Sequence, residues 1–140
     1  VAFRALAQEK PKVEQYRGKV VSLAEALKKQ GIEIDVDARQ HWLALETEAG
    51  QLHPLVKDQG SRMFFNDPRL LNRTMNLRGR LIGATGLLQV LHVQSVKESR
   101  LHDVYYWCDV CAIRRSSLEK SGICECCGGP MELREVPAEK

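Results

Sequence analysis

The sequence predicts a mainly β protein: a small antiparallel barrel with one short helix, followed by a four-cysteine segment near the C-terminal end. Three observations predict it. About seven short runs of strand-forming residues are separated by turn signals at close intervals. Only Leu23 to Gln30 carries both a start and a stop signal for a helix. All five cysteines fall in the last third, as Cys108-x2-Cys111 and Cys124-x2-Cys127, with Cys126 inside the second pair.

Residues 1–15 read as a polar lead-in. Within them Ala5-Leu6-Ala7-Gln8 has the small-x-small form that precedes a signal-peptidase cut, although no charged or apolar region comes before it. Export and cytoplasmic residence both stay open. Tyr16 to Val21 is the first strand, with Gly18 letting it bend. Ser22-x-x-Glu25 is a capping box that starts the helix, and Gly31 stops it. Ile32, Ile34 and Val36 alternate with Glu33, Asp35 and Asp37, the period of a half-buried strand. His41 to Thr47 and Leu52 to Val56 form a hairpin around Glu48-Ala49-Gly50-Gln51, and Pro54 places its second arm at a sheet edge.

Met63-Phe64-Phe65 is a short apolar patch, and Asn66-Asp67-Pro68 introduces a helical turn over Arg69 to Asn72. Met75, Leu77, Gly79 and Leu81 alternate with Asn76, Arg78 and Arg80, a strand with one basic face. Leu87 to Val96 is a long apolar strand, and Leu101 to Trp107 is a last strand that runs directly into Cys108.

Asn72 to Leu81, an alternating strand after a loop ending in a basic residue, resembles a central strand of small bacterial OB-fold proteins. Leu88-x-Val90-x-His92-Val93-x-Ser95-Val96 resembles their next strand. The resemblance implies an OB-like barrel over residues 16–104. Such a barrel can hold single-stranded nucleic acid on basic and aromatic side chains.

Cysteine spacing carries the clearest chemistry. Twelve residues separate the two C-x2-C pairs, the arrangement in which two knuckles each present two sulfurs to one tetrahedral ion. The segment resembles zinc ribbons and the rubredoxin-like ends of rubrerythrins over residues 105–136, with Gly128-Gly129 after the second pair and a tail at 137–140. That implies Cys108, Cys111, Cys124 and Cys127 as ligands of structural Zn2+, with iron as the alternative. Rubredoxin-like sites carry Gly after the first pair and Pro inside the second, whereas this chain has Ala112 and Glu125. Arg114, Arg115 and Lys120 would offset thiolate charge, Tyr106 and Trp107 would pack on the site, and Met131-x-Leu133 would close it as a strand. Cys126 is a spare thiol, read as a small, partly buried residue.

A second surface is suggested by charge. Arg62, Arg69, Arg73, Arg78 and Arg80 face a single acid, Asp67, over that stretch, with Trp42, Phe64 and Phe65 as candidate stacking platforms for nucleic acid. A net charge of +3 and few aromatics weigh against that use, and a solvated basic face is preferred. His41, His53, His92 and His102 show no ligand spacing. No nucleophile, phosphate loop or carboxylate pair stands in a recognisable motif, so no catalytic residue is expected. No apolar run approaches the roughly 20 residues of a membrane helix. The resulting expectation is a non-enzymatic zinc-binding interaction module with an unidentified protein partner. The alternatives are a redox or metal-handling protein, or a barrel that binds single-stranded nucleic acid.

Overall fold

The computed structural model describes residues 12–116 and 122–138. Lys120, the Ala5-Leu6-Ala7 tripeptide and the lead-in up to residue 11 lie outside them. Among the described residues the architecture is a mainly antiparallel sheet with three short helices where one was expected. Its elements are β1 (Glu14–Ser22), α1 (Leu23–Lys29), α2 (Val36–His41), β2 (Leu43–Thr47), β3 (Leu52–Pro54), α3 (Arg62–Asn66), β4 (Thr74–Leu81), β5 (Leu88–Lys97), β6 (Arg100–Cys108), β7 (Ile113–Arg115) and β8 (Glu132–Pro137). A 3-10 turn covers Pro68–Leu70.

The strands lie in the order β3-β2-β1-β4-β5-β6-β7, with β8 paired to β6. Among the described residues no ladder closes this sheet. Leu55, just after the edge strand β3, makes one parallel bridge to Leu88 at the start of β5, reinforced by the Val56 N–H donating to the Leu88 carbonyl at 3.0 Å. Gly18 lets β1 and β2 approach closely, since a Cβ there would sit 2.1 Å from the Glu46 carbonyl oxygen.

Ser22 caps α1 as its sequence predicts, accepting from the Glu25 N–H, and Gly31 takes a φ of +81° just beyond the helix. The alternation over residues 32–36 does not produce a strand. β1 already has β2 and β4 on its two edges, so the segment cannot pair with it. Ile32 and Val36 stay 47% and 57% exposed, and Asp35 instead caps α2, its carbonyl accepting from the Ala38 N–H at 3.0 Å. Asp37 falls in the first turn of that helix, and His41 belongs to α2 rather than to β2.

One apolar cluster runs through the molecule. It joins Val20, Leu45, Phe64, Leu70, Met75, Leu77, Leu88 and Val90 to Val104, Tyr106, Cys108, Cys124 and Met131. The sheet core and the cysteine segment therefore share one buried interior. β6 is the strand that connects them. His102 and Asp103 pair with both β5 and β8, so those two strands lie on opposite edges of β6. Tyr106 and Trp107 pair with both β7 and β8, which puts β7 on the same edge as β5.

The β5–β6 hairpin turns through Glu98 and Ser99, whose φ values of 51° and 63° lie in the left-handed region usually filled by Asn and Gly. Ser99→Gly is expected to raise stability by about 1 kcal/mol, read as a higher denaturation midpoint with unchanged slope.

Candidate metal centre

Each cysteine pair sits on a tight turn whose backbone points at sulfur. Cys108 ends β6, fully buried, and the Cys111 N–H donates to its Sγ at 3.5 Å. In the second turn the Cys124 N–H donates to the Gly129 carbonyl at 2.8 Å, the Gly128 N–H to the Cys124 carbonyl at 2.9 Å, and the Gly129 N–H to Cys127 Sγ at 3.4 Å. Ile123 and Pro130 bridge at the base of that turn, and β8 then returns along β6.

The two turns share one backbone feature. The residue after the second cysteine has positive φ in both, +53° at Ala112 and +72° at Gly128. Glycine adopts that conformation at little cost, while alanine is strained by about 1 kcal/mol. Ala112→Gly should therefore stabilise the first turn by about 1 kcal/mol, and Gly128→Ala should destabilise the second by a similar amount. Paired thermal melts check both signs.

Folding brings the four cysteines together. Their Sγ atoms all lie within 4.8 Å of one another, and Cys108 and Cys127 are 3.6 Å apart. A tetrahedron with metal–sulfur bonds of about 2.3 Å has sulfur–sulfur edges of about 3.8 Å. The set is thus positioned to hold a metal ion. All five cysteines are free thiols, and Cys126 is exposed outside the four-sulfur set. Among the described residues this is the one group of three or more His, Cys, Asp or Glu side chains so gathered.

Local electrostatics fit the same purpose. The Cys127 and Cys126 N–H groups pull the Cys124 thiol down to about 7. A hydrogen bond shared with Cys127, together with burial, pushes Cys111 up. Four adjacent sulfurs cannot all ionise beside one another without a cation, so protons must leave as a metal arrives. Tyr106 packs in the common core beneath Cys108. Arg114 lies over the Tyr105 ring at 4.3 Å and Arg134 over Trp107 at 5.1 Å. Trp107 Nε1 donates to Asp109 at 2.7 Å.

The other expected surfaces are distributed differently. Of the five arginines, Arg69 is held by Asp67 and Arg73 by Glu135, which also receives Lys97 at 2.8 Å. Arg80 Nε donates to Gln89 at 2.7 Å, Arg78 is exposed on β4, and Arg62 lines a cleft with Lys57 and Phe65. Phe64 is buried in the core, while Trp42 is 45% exposed. The four histidines occupy α2, β3, β5 and β6 and do not converge.

Sequence reading missed a buried network at the foot of the cysteine segment. Asp67, 2% exposed, accepts from Arg69 Nε and Nη2 at 2.8 Å each, from the Arg69 N–H at 3.1 Å, and from the Tyr106 hydroxyl at 2.8 Å. The Arg69 side chain holds the Asp67 carboxyl below its ordinary range, against the burial that would raise it. Burial first, then the Asp67 contact, pushes the Tyr106 hydroxyl up. The signal available in sequence was Asn66-Asp67-Pro68-Arg69, an acid able to cap its own turn.

Among the described residues no helix is long and apolar enough to cross a membrane. Compared with protein-family models, curated proteins and solved structures, the chain gives no match.

Proposed function

We propose that the chain is a non-enzymatic interaction module in which an OB-like barrel over residues 16–104 carries a zinc ribbon over residues 105–136. The convergence of four Sγ atoms within 4.8 Å carries this reading. Four thiolates at tetrahedral spacing complete the coordination of a zinc ion and leave no open position for substrate, so the ion would act as a structural cross-link. Ala112 and Glu125 stand where rubredoxin-like iron sites have Gly and Pro, which favours zinc over iron. Cys108 and Cys124 would be the buried ligands, and Cys127 the exposed one.

Two observations support the barrel part. β1 to β5 lie in the order 3-2-1-4-5, and the Leu55–Leu88 bridge brings the ends of that array together, as in a five-stranded, partly open barrel. Partner binding would use the outer surface, since the interior is filled by Phe64, Leu45, Leu77 and Leu88.

Cobalt(II) titration of metal-free, reduced protein tests the metal part. The expected result is saturation at one equivalent, with the strong sulfur-to-metal absorption of four-thiolate coordination, and displacement by zinc. Weak absorption typical of oxygen and nitrogen ligands, or no saturation, would overturn it.

A further inference from the structure

The loop that follows β3 lies between two open clefts. The first, of about 380 Å³, has Leu55, Val56 and Leu87 among its walls, together with His41, Trp42 and Lys57. The second, of about 370 Å³, is lined by Lys57, Asp58, Arg62, Phe65 and Asn66. Lys57 belongs to both, so the clefts adjoin at its side chain.

Backbone hydrogen bonds fix the walls of the first cleft. The Trp42 N–H donates to the Ala38 carbonyl at 3.0 Å, and the Trp42 carbonyl accepts from the Leu23 N–H at 3.1 Å. The Leu55 N–H donates to the Leu43 carbonyl at 2.9 Å. On the opposite side the Leu87 carbonyl accepts from the Ile82 N–H at 2.9 Å, and its N–H donates to Thr85 Oγ1 at 3.1 Å. A cleft of this size, apolar and held by the backbone, has the form of a small-molecule site.

Its polar groups are gathered at one end. Leu55 is 2% exposed, Val56 and Leu87 are partly buried, and Trp42 keeps 45% of its surface open. No carboxylate lines this first cleft. Lys57 stands where it meets the second, 5.2 Å from the Phe65 ring centroid, and Arg62 lies beyond. Neither cation forms an ion pair among the described residues. Asp58, the acid of the second cleft, is engaged elsewhere: Oδ2 accepts from Gln89 Nε2 at 3.2 Å, and Oδ1 is closed to solvent. Lys57 and Arg62 against Asp58 leave an excess of one positive charge.

We propose that the two clefts form one binding site for an aromatic monocarboxylate, with its ring between Trp42 and the Leu55 and Leu87 side chains and its carboxylate on Lys57 and Arg62. Burying the ring removes apolar surface of Trp42 and Leu87 from water, and the carboxylate gains charge-assisted hydrogen bonds. A single excess charge suits one carboxylate rather than a polyanion. A ring is favoured over an alkyl chain because Trp42 offers it an aromatic partner, and because a rigid body loses less freedom on binding. No residue of the cysteine segment takes part, so the site is independent of the metal reading.

The test titrates 3-phenylpropanoate into the 15N-labelled whole chain and follows the side-chain N–H signals of its two tryptophans, Trp42 and Trp107, assigned with Trp42→Phe. The Trp42 signal should shift saturably with a Kd of about 1 mM or lower, as expected for so small a ligand, while Trp107 stays in place. Acetate at the same concentrations should move neither signal. The neutral 3-phenylpropanamide should bind about tenfold more weakly. K57M/R62M, which keeps the apolar stems and removes both charges, should bind the acid only as well as the amide and should melt with the parent. An unmoved Trp42 signal, an equal shift at Trp107 or an equal effect of acetate would overturn the site. An amide as tight as the acid, or unchanged acid binding by the double variant, would overturn the seat of the carboxylate. Tighter binding of octanoate would overturn the aromatic assignment.

Discussion

Replacing Cys124 by serine is expected to abolish stoichiometric metal binding and to unfold the segment from Cys108 to Leu133. Cys124 is 1% exposed and lies in the same buried cluster as Cys108 and Met131, so its loss removes both a ligand and a core contact. In small domains held by a structural ion, metal-binding free energy is folding free energy, and losing one of four ligands should cost on the order of 5 kcal/mol. Cys126→Ser supplies the control, because its sulfur is exposed and outside the four-sulfur set. It should bind one metal per chain and melt with the parent. Metal content and thermal melts of the two variants decide the matter: equal behaviour would mean that the four-sulfur cluster is not the ligand set.

Asp67→Ala is expected to cost about 3 kcal/mol. The carboxylate is buried, and its removal leaves the Tyr106 hydroxyl without its partner inside the core. Much of the Arg69 side chain is solvated, 63% exposed, so the loss comes mainly from the buried hydroxyl and the turn cap rather than from the ion pair. Tyr106→Phe, which leaves Asp67 bound to Arg69, should cost about 1 kcal/mol. The pH dependence follows from the same contacts. Arg69 lowers the folded carboxyl below its unfolded value of about 3.9. This contribution is complete above that value and is lost as pH falls through the depressed folded one. Asp67→Asn should therefore flatten the acid limb of a stability profile below about pH 4. An unchanged limb would show that the network adds no pH-linked stability.

The cysteine site was legible because its information is local. Two C-x2-C pairs specify two turns, and strand periods on either side, Tyr105 to Trp107 and Met131 to Leu133, specify what holds them. The hairpin at Gly50 and the cap at Ser22 were legible for the same reason: side-chain chemistry within four residues determines them. The stretch from Ile32 to Val36 misled because alternation describes only the side chains. A strand also needs an open edge, and β1 had none. Asp67 and Tyr106 meet across 39 positions, so no local pattern could announce the contact. Arg69 and Arg73 read as a basic surface from spacing alone, yet three-dimensional pairing gives each a carboxylate.

The most direct measurement is zinc content per chain on purified protein, with a free-thiol titration and a visible spectrum of the same sample. The account predicts one zinc per chain, no visible colour, and one readily modified thiol, that of Cys126, until the metal is chelated. Iron with visible absorbance, or a metal-free chain with its cysteines in disulfides, would contradict it.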